Sequence, residues 1–235
     1  RNCALEPEVS ALCDFFNKQG ARISGVGTPT IVIDGVDKLG GTSFRCIPDR
    51  IETGTFVTMA ALTGSEIGVI NCDPKHLEVF WKYMDMVGVP YEIGENWVQV
   101  RPPAQLKPAD LKTHEYPGFV TDLQAPFTVL MTQAHGLSMI HETIFDGRLF
   151  YTDILNSMGA KIIMCDPHRA VVNGPTKLYG QKLVTPDVRA GIALVLAGLI
   201  ADNTTTIDNI EHIDRGYENI AARLAKLGAD IVRVD

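Results

Sequence analysis

Nothing in this chain is long and apolar enough to cross a membrane as a helix. The longest apolar stretch, Ala190 to Ala201, contains Gly191 and Gly198 and falls well short of the roughly 20 residues a bilayer requires. Positive charge is scarce: 21 Lys and Arg face 28 Asp and Glu, for a net charge of −7. That argues against a nucleic-acid surface, where phosphate contacts demand a basic face. Cysteine is sparse and without pattern. Cys3, Cys13, Cys46, Cys72 and Cys165 are odd in number and form no CxxC pair, so a disulfide framework is not indicated. Buried thiols in a reducing, cytoplasmic setting are expected, with Cys165 a packed thiol. The six histidines show no metal-ligand spacing, His212 reads as structural or edge-solvated, and no cofactor is called for. An apolar leader is missing from the start, where Arg1-Asn-Cys-Ala-Leu-Glu-Pro-Glu also lacks an initiator Met. The chain is expected to be cut or processed there.

What the sequence does have is a period. Gly20, Gly88, Gly159 and Gly228 recur at intervals of 68, 71 and 69 residues. Each follows an amphipathic segment (Pro7 to Gln19, Pro74 to Val87, Arg148 to Met158 and Arg215 to Leu227), where glycine suits the residue just past a helix end. A strand-like run follows each: Ala21-Arg-Ile-Ser, Tyr91-Glu-Ile, Lys161-Ile-Ile-Met and Ile231-Val-Arg-Val. A second set of helices begins at Asp49, Asp122 and Asp187, each leading to a further strand. The unit is therefore about strand–helix–strand–helix–strand–strand over roughly 70 residues, a size that signals repeated structural units sharing a core. The 235 residues hold about three and a half units and enter the first one partway through, so upstream sequence is expected. Gly25-Val-Gly-Thr leads into a strand and does not read as a phosphate cradle.

Each repeat aspartate has two readings. Asp at a helix start satisfies backbone N–H groups that lack partners. It can equally be a carboxylate that accepts a proton from a substrate hydroxyl. The arginines bear on this choice. Arg50, Arg148, Arg189 and Arg215 all lie at helix boundaries or first turns, where a cation costs about 0.3–1 kcal/mol against the helix dipole. Local pairing would explain Arg148 beside Asp146, and Arg215 beside Asp214 or Glu218. Taken with Arg189, they also form a set suited to phosphate and carboxylate, which arginine grips with two parallel hydrogen bonds.

Four stretches carry a resemblance: Pro48-Asp-Arg-Ile-Glu-Thr-Gly-Thr-Phe, Thr121-Asp-Leu-Gln-Ala-Pro-Phe, Glu142-Thr-Ile-Phe-Asp-Gly-Arg and His212-Ile-Asp-Arg-Gly-Tyr-Glu. They closely resemble the UDP-N-acetylglucosamine 1-carboxyvinyltransferases, members of the enolpyruvyl transferase (EPSP synthase-like) family. Leu39-Gly-Gly, Pro186-Asp-Val-Arg-Ala and Leu194-Val-Leu-Ala-Gly fit the same pattern, and the likeness runs from Asn2 to Val234. The sister enzyme 5-enolpyruvylshikimate-3-phosphate synthase shares the fold but not these motifs.

The resemblance implies an α/β fold, an inside-out α/β barrel of repeated units in two lobes with the site in the cleft. Residues 1–46 would close the first lobe and residues 47–235 would form most of the second. The implied reaction moves enolpyruvyl from phosphoenolpyruvate to the 3′-hydroxyl of UDP-N-acetylglucosamine, the first committed step of peptidoglycan synthesis. Carried over by motif, Asp122 would contact that hydroxyl and act as its base, and Ile144 would touch the sugar nucleotide through its backbone. Arg148, Arg189 and Arg215 would bind the phosphate and carboxylate of phosphoenolpyruvate, and Asp187 would hold the arginines in place. The family's Lys-Asn pair, its loop bearing a reactive Cys or Asp and its first-lobe arginines have no counterpart here. The chain alone is thus expected to be inactive, with the missing lobe as its partner. The competing reading is a non-catalytic sugar-nucleotide-binding or scaffold module.

Overall fold

The glycine period reappears as a repeated order of elements in the computed structural model, which describes residues 1–234. A partial first unit comprises α1 (Pro7–Lys18) and the hairpin β1 (Arg22–Ser24) with β2 (Val32–Asp34). The second unit runs α2 (Arg50–Thr63), β3 (Ile67–Ile70), a 3-10 turn at Pro74–Leu77 leading into α3 (Glu78–Val87), then β4 (Tyr91–Ile93) and β5 (Trp97–Val100). The third begins with β6 (Leu111–Lys112) and a 3-10 turn at Thr121–Leu123 that leads into α4 (Gln124–Met131). It continues through β7 (Gly136–His141), α5 (Tyr151–Ser157), β8 (Ile162–Asp166) and β9 (Arg169–Gly174). The fourth holds β10 (Lys182–Val184), α6 (Val188–Ile200), β11 (Thr206–Asp208), the short α7 (Glu211–Asp214) and α8 (Ile220–Lys226).

Strands pair within their units. The second unit gives an antiparallel β3-β5-β4 sheet, and the third gives β6-β7-β9-β8 with β6 parallel to β7. In the fourth, β10 lies parallel to β11 across α6. The helix ends repeat down to single bonds. Gly20, Gly88, Gly159 and Gly228 all have positive φ, between 81° and 104°. The amides of Ala21, Val89, Ala160 and Ala229 reach back to the carbonyls of Phe16, Met84, Leu155 and Leu224, the hydrogen bond that closes a helix through a left-handed residue. Asn17 and Asn156 each exchange a pair of hydrogen bonds with the backbone of the strand that follows, at Ile23 and Ile162.

The core lies where α2, α4 and α6 meet, each touching the other two. All eight residues of α4 are buried, as are most of α2 and the Ala190–Ala197 part of α6. Helices apolar on every side belong in an interior, and the outer helices α3, α5 and α8 keep one wet face. Glycine permits the close approach. A Cβ on Gly54 would lie 2.4 Å from Leu123 Cδ1, and one on Gly191 would lie 2.5 Å from Thr185 Oγ1. Phe80, Tyr83, Phe119 and Phe127 form tilted and edge-on ring contacts that tie α3 to α4, each worth about 0.5–1.5 kcal/mol beyond area burial.

Several local expectations are corrected. The glycine-capped helices start at Tyr151 and Ile220, so Arg148 and Arg215 sit in turns ahead of them. In those turns Gly147 (φ 71°) and Asn219 (φ 49°) leave the helical range. Ile231 to Val234 forms no strand, and the partner strand that β4 and β8 pair with has no equivalent among the described residues. Cys165 is exposed at the β8 irregularity, not packed, and Cys46 is exposed as well. Leu12 on α1 and Leu227 after α8 are each 54% exposed. Arg50 is buried and committed to Glu8 of α1, Nε to Oε1 at 2.9 Å and Nη2 to Oε2 at 3.2 Å, with its guanidinium over the Tyr116 ring.

Candidate functional site

Asp49 and Asp187 are helix caps. The Asp49 carboxylate accepts from the amides of Ile51 and Glu52, and Asp187 accepts from those of Arg189 and Ala190 at 2.7 and 2.9 Å. Asp122 is not a cap. The 3-10 turn that carries it already uses the amides of Leu123 and Gln124, which donate to the carbonyls of Val120 and Thr121. Freed from the backbone, the Asp122 carboxylate takes two guanidinium groups. Arg148 Nη1 donates to Oδ1 at 2.9 Å, and Arg189 Nη2 lies 2.7 Å from Oδ2. The three side chains are 20–25% exposed, sheltered enough for charge-assisted bonds to hold and open enough for a ligand to reach.

Each arginine is held by more than the aspartate. Arg148 Nη1 also donates to Thr121 Oγ1 at 2.8 Å, and its guanidinium stacks on the Phe145 ring at 4.4 Å. Arg189 is the second residue of α6, its amide capped by Asp187, and its guanidinium passes beside Gly216, where an added Cβ would lie 3.8 Å from Nη1. The hydroxyl of Tyr217 stands 2.9 Å from Thr55 Oγ1 on α2. Burial pushes the Tyr217 phenol up, opposed by its hydrogen bond to Thr55 and by Arg189. The starts of α2, α4 and α6 thus converge. Gly54 abuts Leu123 and Asp122 meets Arg189, which gathers partial positive charge from helix N-termini at one place.

Of the sequence candidates, Asp122, Arg148 and Arg189 come together. Arg215 does not join them. It is exposed at the end of α7 and has no side-chain hydrogen bond or ion pair among the described residues, though Gly216 next to it touches Arg189. The local pairings fail as well: Asp214 binds Arg233, and Asp146 faces His168 Nε2 at 3.4 Å. Asp187 holds the Arg189 backbone and no guanidinium. The amide of Ile144 is occupied by Glu142 Oε1 at 2.8 Å.

Glu142 is the residue that motif reasoning passed over. It is 0% exposed, and its carboxylate accepts from Thr113 Oγ1, Thr121 Oγ1 and the amides of Ile144 and Phe145. A signal was available, because Ser138 and Ile140 face inward on β7 and period two carries that face on to Glu142.

Two small cavities hold about 10 Å³ each, far below the roughly 300–1,000 Å³ of a usual ligand pocket, and neither is lined by Asp122, Arg148 or Arg189. Among the described residues no helix is long and apolar enough to cross a membrane, and no group of three or more His, Cys, Asp or Glu is placed to hold a metal ion.

Residues 1–224 match the family described as EPSP synthase (3-phosphoshikimate 1-carboxyvinyltransferase). A UDP-N-acetylglucosamine 1-carboxyvinyltransferase of Koribacter versatilis is 46% identical over 233 residues, covering 99% of this chain and 54% of that protein. One from Desulfosudis oleivorans is 47% identical over 233 residues, covering 99% and 56%. The chain therefore spans about half the length of the curated relatives it matches. Among solved structures, the enolpyruvyl transferase NikO from Streptomyces tendae superimposes with a TM-score of 0.88 at 28% identity, covering 99% of this chain and 55% of that one.

Proposed function

The chain belongs to the EPSP synthase family, and on that footing we propose that it supplies one wall of a UDP-N-acetylglucosamine enolpyruvyl transferase. The reaction would join the 3′-hydroxyl of UDP-N-acetylglucosamine to C2 of phosphoenolpyruvate and release phosphate, committing the sugar to peptidoglycan in the cytoplasm. The observation that carries this reading is Asp122: it alone of the three repeat aspartates gives up capping and turns its carboxylate to two guanidiniums.

Asp122 would receive the proton of the sugar hydroxyl. Arg148 and Arg189 would pass to the phosphate and carboxylate of phosphoenolpyruvate, and Arg215, exposed at the end of α7, would swing in to complete the set. Guanidiniums fixed before the reaction stabilise the negative charge of the tetrahedral adduct. Ile144 would meet the sugar nucleotide through its carbonyl, since its amide is taken. Residues 47–235 would form the second lobe of an inside-out barrel and residues 1–46 the end of the first. The exposure of Leu12, Val32, Ile33 and Leu39 in that segment supports the division.

An open half-site fits a chain that does little or no chemistry alone, and turnover by these 235 residues would overturn that part. The site itself is tested by calorimetric titration with UDP-N-acetylglucosamine. Weak binding that Asp122→Ala abolishes is expected. Equal binding by both proteins would remove Asp122 from the sugar site.

A further inference from the structure

We propose that Glu142 is a positioning residue that aims the Arg148 guanidinium through the hydroxyl of Thr121. Arg148 has only donors and an ionised carboxylate has only acceptors, whereas a hydroxyl offers one proton and two lone pairs. Thr121 stands between the two, donating to Glu142 Oε2 at 2.8 Å and accepting from Arg148 Nη1 at 2.8 Å. The charges at the ends fix the direction of the chain. Because its proton is committed to Glu142, Thr121 can present only a lone pair to Arg148 and cannot donate to Asp122. Arg148 Nη1 therefore has one permanent acceptor, Thr121, and one exchangeable acceptor, Asp122.

The other oxygen of Glu142 anchors the turn that carries Arg148. Oε1 accepts from the amides of Ile144 and Phe145 and from Thr113 Oγ1, which in turn accepts from the Thr143 amide. Phe145 then stacks on Arg148. One buried carboxylate so sets both the backbone around Arg148 and the direction of its side chain. Its bearing on catalysis rests on the function proposed above; the positioning itself does not.

The test separates the two arms of Glu142 on the 235-residue chain, with proton exchange of the Arg148 guanidinium and of the Ile144 and Phe145 amides read by nuclear magnetic resonance. Thr121→Val cuts the relay and leaves the turn. It is expected to quicken Arg148 exchange about tenfold, the worth of one charge-assisted bond, with both amides unchanged and with Thr121→Ser restoring the slow rate. Glu142→Gln is expected to quicken all three. Arg148 exchange in Thr121→Val within about twofold of wild type would overturn the proposal, leaving Glu142 as a turn anchor only. Should Glu142→Gln fail to fold, the Thr121 pair still decides. Titration of wild type with UDP-N-acetylglucosamine runs alongside: its failure would count against the proposed function without touching the Arg148 result.

Discussion

Asp122 sits between two guanidiniums that face no other carboxylate among the described residues. Asp122→Asn keeps the shape of the side chain and removes the charge, leaving Arg148 and Arg189 to repel each other. Partial exposure softens the effect, so a cost of about 1 kcal/mol is expected, which is a melting shift of roughly 2–4 °C for a chain of this size. The vacated guanidiniums should then welcome another anion. Inorganic phosphate is expected to raise the melting temperature of Asp122→Asn by more than that of wild type, and equal responses in a thermal titration would refute it.

Tyr151 makes a second prediction at the same scale. Its phenol is buried and donates nowhere to solvent; Gln124 Nε2 donates to it at 2.9 Å. Burial pushes its pKa above the ordinary 10.0, and its hydrogen bonds to Thr128 and Gln124 only partly oppose this. Tyr91 on β4 is likewise pushed up, to about 12, by burial. For a group whose folded pKa is raised, stability is intact below the unfolded value and falls as pH climbs from about 10 toward the folded value. Tyr151→Phe should be about 1 kcal/mol less stable near neutrality for want of the hydrogen bond, yet lose less stability above pH 10. Denaturant midpoints measured across that range would show it, and parallel alkaline losses would rule it out.

Among the elements, the approach of α2 to the turn before α4 is set by Gly54. Gly54→Ala would press a methyl to 2.4 Å from Leu123. Leu123 is fully buried, so overpacking of about 1–3 kcal/mol is expected. Because Leu123 adjoins Asp122, the change should, on the function proposed above, also weaken sugar-nucleotide binding. Full stability of the variant in a thermal melt would contradict the packing argument.

The elements also show how much could be read beforehand. A left-handed helix end favours glycine, so Gly20, Gly88, Gly159 and Gly228 announced the period, and the strands after the first three followed at close to their observed limits, while the run after Gly228 forms none. The three aspartates looked alike because a cap and a free carboxylate share a sequence position. What separates them is the residue before: Pro48 and Pro186 lead into capped helices, while Thr121 opens a 3-10 turn. The starts of α5 and α8 were misplaced because amphipathic spacing continues through the turns of Arg148 and Arg215. That Arg148 and Arg189 would seek a carboxylate was legible. Their meeting at Asp122 was not, since it depends on how α4 and α6 pack.

For the molecule as a whole, the placing of the helices has a consequence for how it comes apart. Arrays of repeats usually touch only their neighbours and fray unit by unit from the ends. Here the central helices of the second, third and fourth units all touch one another, so the array is closed at its centre. Losing any one helix strips cover from the other two. Cooperativity across the three units should follow: in urea, the fluorescence of Trp81 and Trp97, both in the second unit, and the helix signal of all units should trace a single superimposable transition. Separate midpoints would mean that the units melt independently. A chain written as repeats would then unfold like a chain that has none.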